Sequence, residues 1–263
     1  MVSSEFRLEA RKKLEGKWGK AACLVLAYAV AIFVLGFISG LFPDSVDFIL
    51  SVIVSVIEVP LSFGLIISLL KLYNNEEVKA FDFLSTGFSN FKKAWGISIQ
   101  MFLKMIVPFI LIIISYVLIG FGMVGMLSSS LARTSSSTAS SFGILGILGF
   151  ILLIVSMIWA ITKSYYYQLA YLVAAENPEM SSKEAVLKSE ELMTNKRSKL
   201  FFLQLSFVGW VILACFTLGI GYFWLLPYIQ FAIIAFYKFV SEDSSNDKAE
   251  VVTENNNNPI QEK

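Results

Sequence analysis

Apolar residues in this chain fall in runs too long for the alternation of a half-buried strand or the single stripe of a surface helix. Six runs lie near Ala21–Leu41, Phe48–Leu70, Ile97–Phe121, Phe142–Thr162, Leu200–Leu218 and Tyr222–Val240. Each approaches or exceeds the roughly 20 residues that a helix needs to cross hydrocarbon. The pattern predicts an all-α, polytopic membrane protein: six transmembrane helices in three hairpins, occupying 21–240. Residues 1–20 read as a cytoplasmic amphipathic basic segment. Residues 241–263, rich in Asn and acids, read as a disordered cytoplasmic tail. The first run exceeds the about 7–15 residues of a signal sequence, so it reads as a retained helix.

The polar breaks refine the pattern. Phe42 to Asp47 holds two acids and no base, as a short outer turn. Gly122–Ser141, with serines at 128–130 and 135–137, reads as a flexible outer linker. No charge occurs between Lys199 and Lys238, a stretch too long for one span and right for two, so Gly219-Ile220-Gly221 must reverse the chain. A short amphipathic segment leads into a basic cluster before each hairpin. Phe6, Ala10, Leu14 and Trp18 share one helix face ahead of Lys17-Trp18-Gly19-Lys20. Val78–Phe91 leads to Lys92-Lys93-Ala94-Trp95-Gly96. Ser181 to Glu184 offers a capping box for a helix through Met193, followed by Lys196-Arg197-Ser198-Lys199. These segments are expected to lie on the inner leaflet with their apolar faces in the headgroup boundary. The candidate contacts to anionic lipid are Lys12, Lys13, Lys17, Trp18, Lys20, Lys92, Lys93, Trp95, Lys196, Arg197 and Lys199. Tyr165, Tyr166 and Tyr167 read as an interfacial aromatic belt.

Charge sets the orientation. Of 21 Lys and Arg residues, Arg133 alone falls in a segment placed outside and Lys104 falls within a span; the other 19 face the cytoplasm. That is the positive-inside pattern, and it places both termini in the cytoplasm of a cell-membrane protein. Composition then excludes functions. Hydrophobic residues make up 56% and the mean hydropathy is +0.70, above the about 45–50% of soluble domains. The formal charge of +1 gives no nucleic-acid footprint. There is no histidine, which removes His-based triads, metal sites and proton relays. Cys23 and Cys215 read as buried free thiols, and no phosphate-cradling glycine motif occurs. No cofactor and no metal are expected.

Polar residues inside the runs are the candidate site. Glu58 lies near the middle of the second run, two residues before Pro60. A charge at that depth costs about 2.5–3.5 kcal/mol, and Pro60 frees a carbonyl near Val56. Lys104, with Pro108 one turn on, is the candidate partner of Glu58 or else reaches back to the cytoplasm. Gln100, Gln204, Ser206 and Gln230 suit interhelical hydrogen bonds. Pro227 makes a third proline-bearing span. Glu176, Asn177 and Glu179 form a polar knot at the inner face that also reads as a turn opening the next helix.

Ala175-Glu176-Asn177-Pro178, Ala185, Leu192-Met193, Lys196, Leu200-Phe201 and Leu205 to Trp210 resemble a bacterial membrane family catalogued as domain of unknown function 975. Thr217 to Gly221, Trp224-Leu225, Pro227-Tyr228, Ala235-Phe236-Tyr237 and the start from Ala10-Arg11 to Trp18-Gly19 fit it as well. The resemblance covers most of 5–240 and implies a multi-spanning inner-membrane protein without a settled activity. The family is distantly similar to the membrane domain of some glycerophosphodiester phosphodiesterases, whose catalytic domain has no counterpart here, so no hydrolase chemistry is implied. Three functions remain in competition. They are a non-catalytic accessory in export, self-protection or lipid homeostasis, a small permease using Glu58, and a lipid enzyme at the inner face. The partners expected are anionic lipids of the inner leaflet, with a second copy or another membrane protein as candidate protein partners.

Overall fold

The computed structural model describes residues 2–132 and 136–257, and every regular element among them is a helix. In order these are α1 (Ser3–Leu14), α2 (Trp18–Ser39), α3 (Asp44–Tyr73), α4 (Asp82–Ser89), α5 (Phe91–Leu131), α6 (Ser136–Tyr167), α7 (Ala170–Glu176), α8 (Ser182–Met193), α9 (Arg197–Leu205), α10 (Val208–Phe216) and α11 (Tyr222–Asn257). Six stretches among the described residues are long and apolar enough to cross a membrane, at the positions the runs predict. The chain is a multi-pass membrane protein. Its contacts form two units, Met1–Ser98 with Gln168–Lys263, and Ile99–Tyr167.

In the first unit the three amphipathic segments form helices, and each buries apolar residues against the rest of the chain. Phe6, Ala10 and Leu14 of α1 are fully buried, with Phe6 edge-on to Phe236 (5.4 Å) and Phe239 (5.5 Å) of α11. Phe83 of α4 is buried with Leu61 of α3 and Ala27 of α2. There α4 lies so close to α3 that a Cβ on Gly64 would meet the Phe83 carbonyl at 2.1 Å. Ala185, Val186, Leu192 and Met193 of α8 are buried as well, and α8 packs on α7 and α11. The physical reason is that a half-apolar helix buries more of its face against aromatic side chains of its own chain than at a wet headgroup boundary. The capping box of α8 forms as its residues predict. The Glu184 N–H donates to the Ser181 hydroxyl (3.3 Å) and the Ser181 N–H donates to Glu184 Oε2 (2.9 Å).

Two spans depart from the sequence reading. The fifth is broken: α9 ends at Leu205 and α10 starts at Val208. The Ser206 hydroxyl turns back to the Leu203 carbonyl (2.6 Å), competing with the helical ladder. The freed Ser206 carbonyl lies 3.5 Å from the Arg7 guanidinium. The sixth does not stop at Val240. Its helix continues to Asn257 where a disordered tail was expected, because extending a helix costs far less than starting one and Lys196 pairs with Asp243 at the first turn of the extension. Residues 258–263 lie outside the described residues. At the hairpin between these spans, Leu218 and Gly219 take φ of 53° and 87°, so the reversal sits at the glycines as predicted.

The second unit consists of the α5 and α6 hairpin. The expected Ser-rich linker is mostly helix. Ser128, Ser129 and Ser130 hydroxyls donate to carbonyls three or four residues back, which lets serines continue the helix without water. Arg133, expected outside the cell, falls outside the described residues. The helices meet through glycine: a Cβ on Gly122 would lie 2.6 Å from the Gly146 Cα, and one on Gly125 would enter the Phe142 ring. Cys23 and Cys215 are free but exposed, not buried, because apolar runs here turn outward faces to their surroundings.

Candidate functional site

Pro60 bends the rules of α3 as its position predicts. It sits inside the helix, cannot donate to the Val56 carbonyl, and leaves that acceptor to be met from elsewhere. The donor is Trp95, whose indole N–H lies 3.0 Å from the Val56 oxygen. Trp95, expected as an interfacial contact, therefore serves the kink. Glu58 follows Val56 by two residues and precedes the Pro60 kink by two. Glu58 is exposed and within electrostatic reach of Tyr28. Beyond it α3 changes character, with Leu61, Phe63, Leu69 and Leu70 buried.

Lys104 is half-buried in the other unit, where its Nζ lies 5.8 Å from the centre of the Tyr167 ring. Tyr167 is buried, so it is not part of an interfacial belt. The expected pairing of Glu58 with Lys104 joins residues of two separate units. Gln204 and Gln230 are half-buried in α9 and α11.

The basic residues divide into two sets. One set closes helix ends. The Lys17 ammonium donates to the Leu72 carbonyl (2.9 Å) and to Asn75 Oδ1 (2.5 Å), capping α3 where Asn75 turns left-handed at φ 68°. Lys13 lies over the Tyr73 ring at 5.1 Å, and the Tyr73 hydroxyl donates to Glu9 (2.7 Å). The Lys93 ammonium donates to the carbonyls of Asn177 (2.9 Å) and Pro178 (2.8 Å). Lys196 pairs with Asp243, Lys238 with Glu176, and Lys199 sits over Phe239 at 5.3 Å. Burial pushes the Lys17 ammonium below its usual pKa, with Lys13 and Lys20 adding to the effect. The other set, Lys12, Lys20 and Lys92, is exposed; Arg197 is half-buried at the start of α9. The knot of Glu176, Asn177 and Glu179 is thus largely a tie between α7, α5 and α11.

Sequence reasoning missed a cavity. Trp18, Trp210, Trp224 and Tyr228 surround a space of about 340 Å³ with Arg11 at its edge. Indole spacing along separate helices carries no periodic signal, so nothing in the linear pattern joined these residues. Among the described residues, no group of three or more Cys, Asp or Glu is placed to hold a metal.

The family model described as Protein of unknown function (DUF975) matches residues 1–244. Comparison with curated proteins and with solved structures gives no match.

Proposed function

We propose a non-catalytic accessory role in the cell envelope, in export, self-protection or lipid homeostasis, for this chain, which belongs to the DUF975 family. The observation that carries the reading is the use made of inner-face charges. Lys17, Lys93, Lys196 and Lys238 are engaged with carbonyls and carboxylates that end or join helices. A permease or an enzyme needs such groups aimed at a solute or a reacting bond.

A small permease is the second reading. The break between α9 and α10 favours it, since interrupted helices supply backbone groups to transported ions. One experiment separates the two. Proteoliposomes holding the full chain are screened for solute uptake beside Glu58→Gln. No flux above empty vesicles supports the accessory role; a flux that the variant loses supports transport.

The proposed setting is the cell membrane with both termini in the cytoplasm. With Cys23 and Cys215 replaced, a cysteine at Ser137 is expected to react with an impermeant thiol reagent on intact cells, and one at Lys183 is not. Both positions are exposed, whereas Ser189 on the same inner helix is buried and would be silent in either orientation.

A further inference from the structure

The geometry points to a cleft formed by α1, the start of α2, α10 and α11 that holds one acyl chain of an anionic glycerophospholipid, with the headgroup at Arg11 and Lys12. The claim deepens the accessory reading, on which its physiological meaning rests, by naming the molecule held.

The body of the cleft is suited to a hydrocarbon chain. Its about 340 Å³ is within the range of small-molecule sites, roughly 300–1,000 Å³. Its walls are Trp18, Trp210, Leu213, Trp224 and Tyr228, over small residues at Ala214 and Gly221. The one hydroxyl beneath, on Thr217, is already committed. It donates to the Ala214 carbonyl (2.7 Å) and accepts from the Gly221 N–H (2.8 Å). An occupant therefore meets no unpaired polar group on that floor, and an apolar chain suffers no desolvation cost there.

The wall is preorganised. Tyr228 is held by Phe207 edge-on at 5.1 Å, by Trp18 at 5.9 Å, and by its hydroxyl donating to the Arg7 carbonyl (3.4 Å). Trp210, Leu213 and Trp224 are 47%, 55% and 50% exposed, so the cleft opens sideways on the apolar faces of a hairpin that reads as membrane-embedded. The bilayer supplies chains at that opening.

The other end is charged. Arg11 lies over the Tyr228 ring at 5.9 Å. It borders a second cavity of about 310 Å³ that shares Arg11 and Trp18 with the first and adds Leu8, Lys12 and Glu15. Two cations against one carboxylate leave an excess positive charge beside an apolar slot. That is complementary to a molecule with an anionic head and a long tail. A free phosphate would leave the slot empty, and a neutral lipid would leave the charge unmatched.

The test uses the full chain in phosphatidylcholine vesicles. Phosphatidylglycerol or phosphatidylcholine with brominated acyl chains is added, and quenching of tryptophan fluorescence is read. Brominated phosphatidylglycerol is expected to reach half-quenching at about one-fifth the mole fraction of the brominated neutral lipid, the effect of one excess cation. Lys12→Gln and Arg11→Gln each bring the two lipids level, and Glu15→Gln widens the gap. Ala214→Leu fills the floor and lowers quenching by both lipids with an unchanged circular-dichroism spectrum. Lys12 and Glu15 are exposed, so those two variants test the idea even where Arg11→Gln or Ala214→Leu unfolds. Equal quenching by both lipids in the native chain would overturn the proposal. So would a preference that survives Lys12→Gln, or displacement of the lipid by soluble glycerol phosphate. Each of these leaves the uptake assay untouched, and solute flux in that assay would defeat the accessory reading without touching the cleft.

Discussion

The docking of α1 on α11 in the first unit and the α5–α6 hairpin both bring helices into close contact, yet with opposite side chains; the α3–α4 contact of the first unit, at Gly64 and Gly87, is made as the hairpin's is. In the first, large residues fill the contact: Phe6 of α1 is fully buried, edge-on to Phe236 and Phe239. In the second, Gly122 and Gly146 let two backbones approach with almost nothing between them, and Gly125 makes room for the Phe142 ring. Around α1 and α8, whose outer faces are charged, burying an aromatic ring removes it from water and stabilises the fold by the hydrophobic effect. Between spans the surroundings are as apolar as the side chains, so that gain vanishes. Backbone proximity and dispersion take its place. The polar atoms follow the same division. Lysines and acids tie elements together in the first unit, whereas Ser115 and Ser156 of the hairpin are buried and bond within their own helices.

The sharpest test of this contrast removes a ring from the α1–α11 contact. Phe6→Ala is expected to cost about 3–5 kcal/mol, as buried aromatics do. It should lower the midpoint of denaturant unfolding in detergent and free α1 for proteolysis. A cost below 1 kcal/mol would mean that α1 is only loosely docked. Gly122→Leu tests the other side. It drives a side chain into the Gly146 backbone and should cost about 2 kcal/mol, read as a loss of disulfide cross-linking between cysteines placed across the α5–α6 seam. An unchanged cross-link would deny the seam its role. Trp95→Phe keeps the ring but drops the N–H that serves Val56. About 1 kcal/mol is expected, along with faster amide exchange at the Pro60 kink.

The smallest effect concerns pH. The backbone and hydroxyl bonds from Ser181 hold the Glu184 carboxyl below its usual 4.5. Its contribution to α8 is present above that value and lost as the pH falls through the lowered one. The protection factors of the first-turn amides of α8, with the intrinsic pH dependence of exchange divided out, should therefore fall between pH 6 and pH 3 in the native chain and stay flat in Glu184→Ala.

Much of this was legible along the chain because the signals are local. Apolar run length located the spans, the Ser181–Glu184 spacing located α8, and Pro60 announced a freed carbonyl at Val56. What could not be read was tertiary. Phe6, Ala10 and Leu14 form the same stripe whether it faces a bilayer or α11, and only the fold decides between them. Trp95 next to two lysines looks interfacial until Val56 arrives beside it. The break at Ser206 leaves only a serine and a glycine as clues, too common in spans to stand out. The α5–α6 glycines were visible but unpaired, because a seam needs both helices to be recognised.

One consequence reaches beyond stability. The lysines that the positive-inside reading assigns to orientation are in several cases the same groups that close helix ends: Lys17 on Leu72, Lys93 on Asn177 and Pro178. Threading and melting then share determinants. A library that moves positive charge to invert the protein would also select for thermal robustness, and an apparent orientation mutant recovered from it must be checked for whether its helices still hold together.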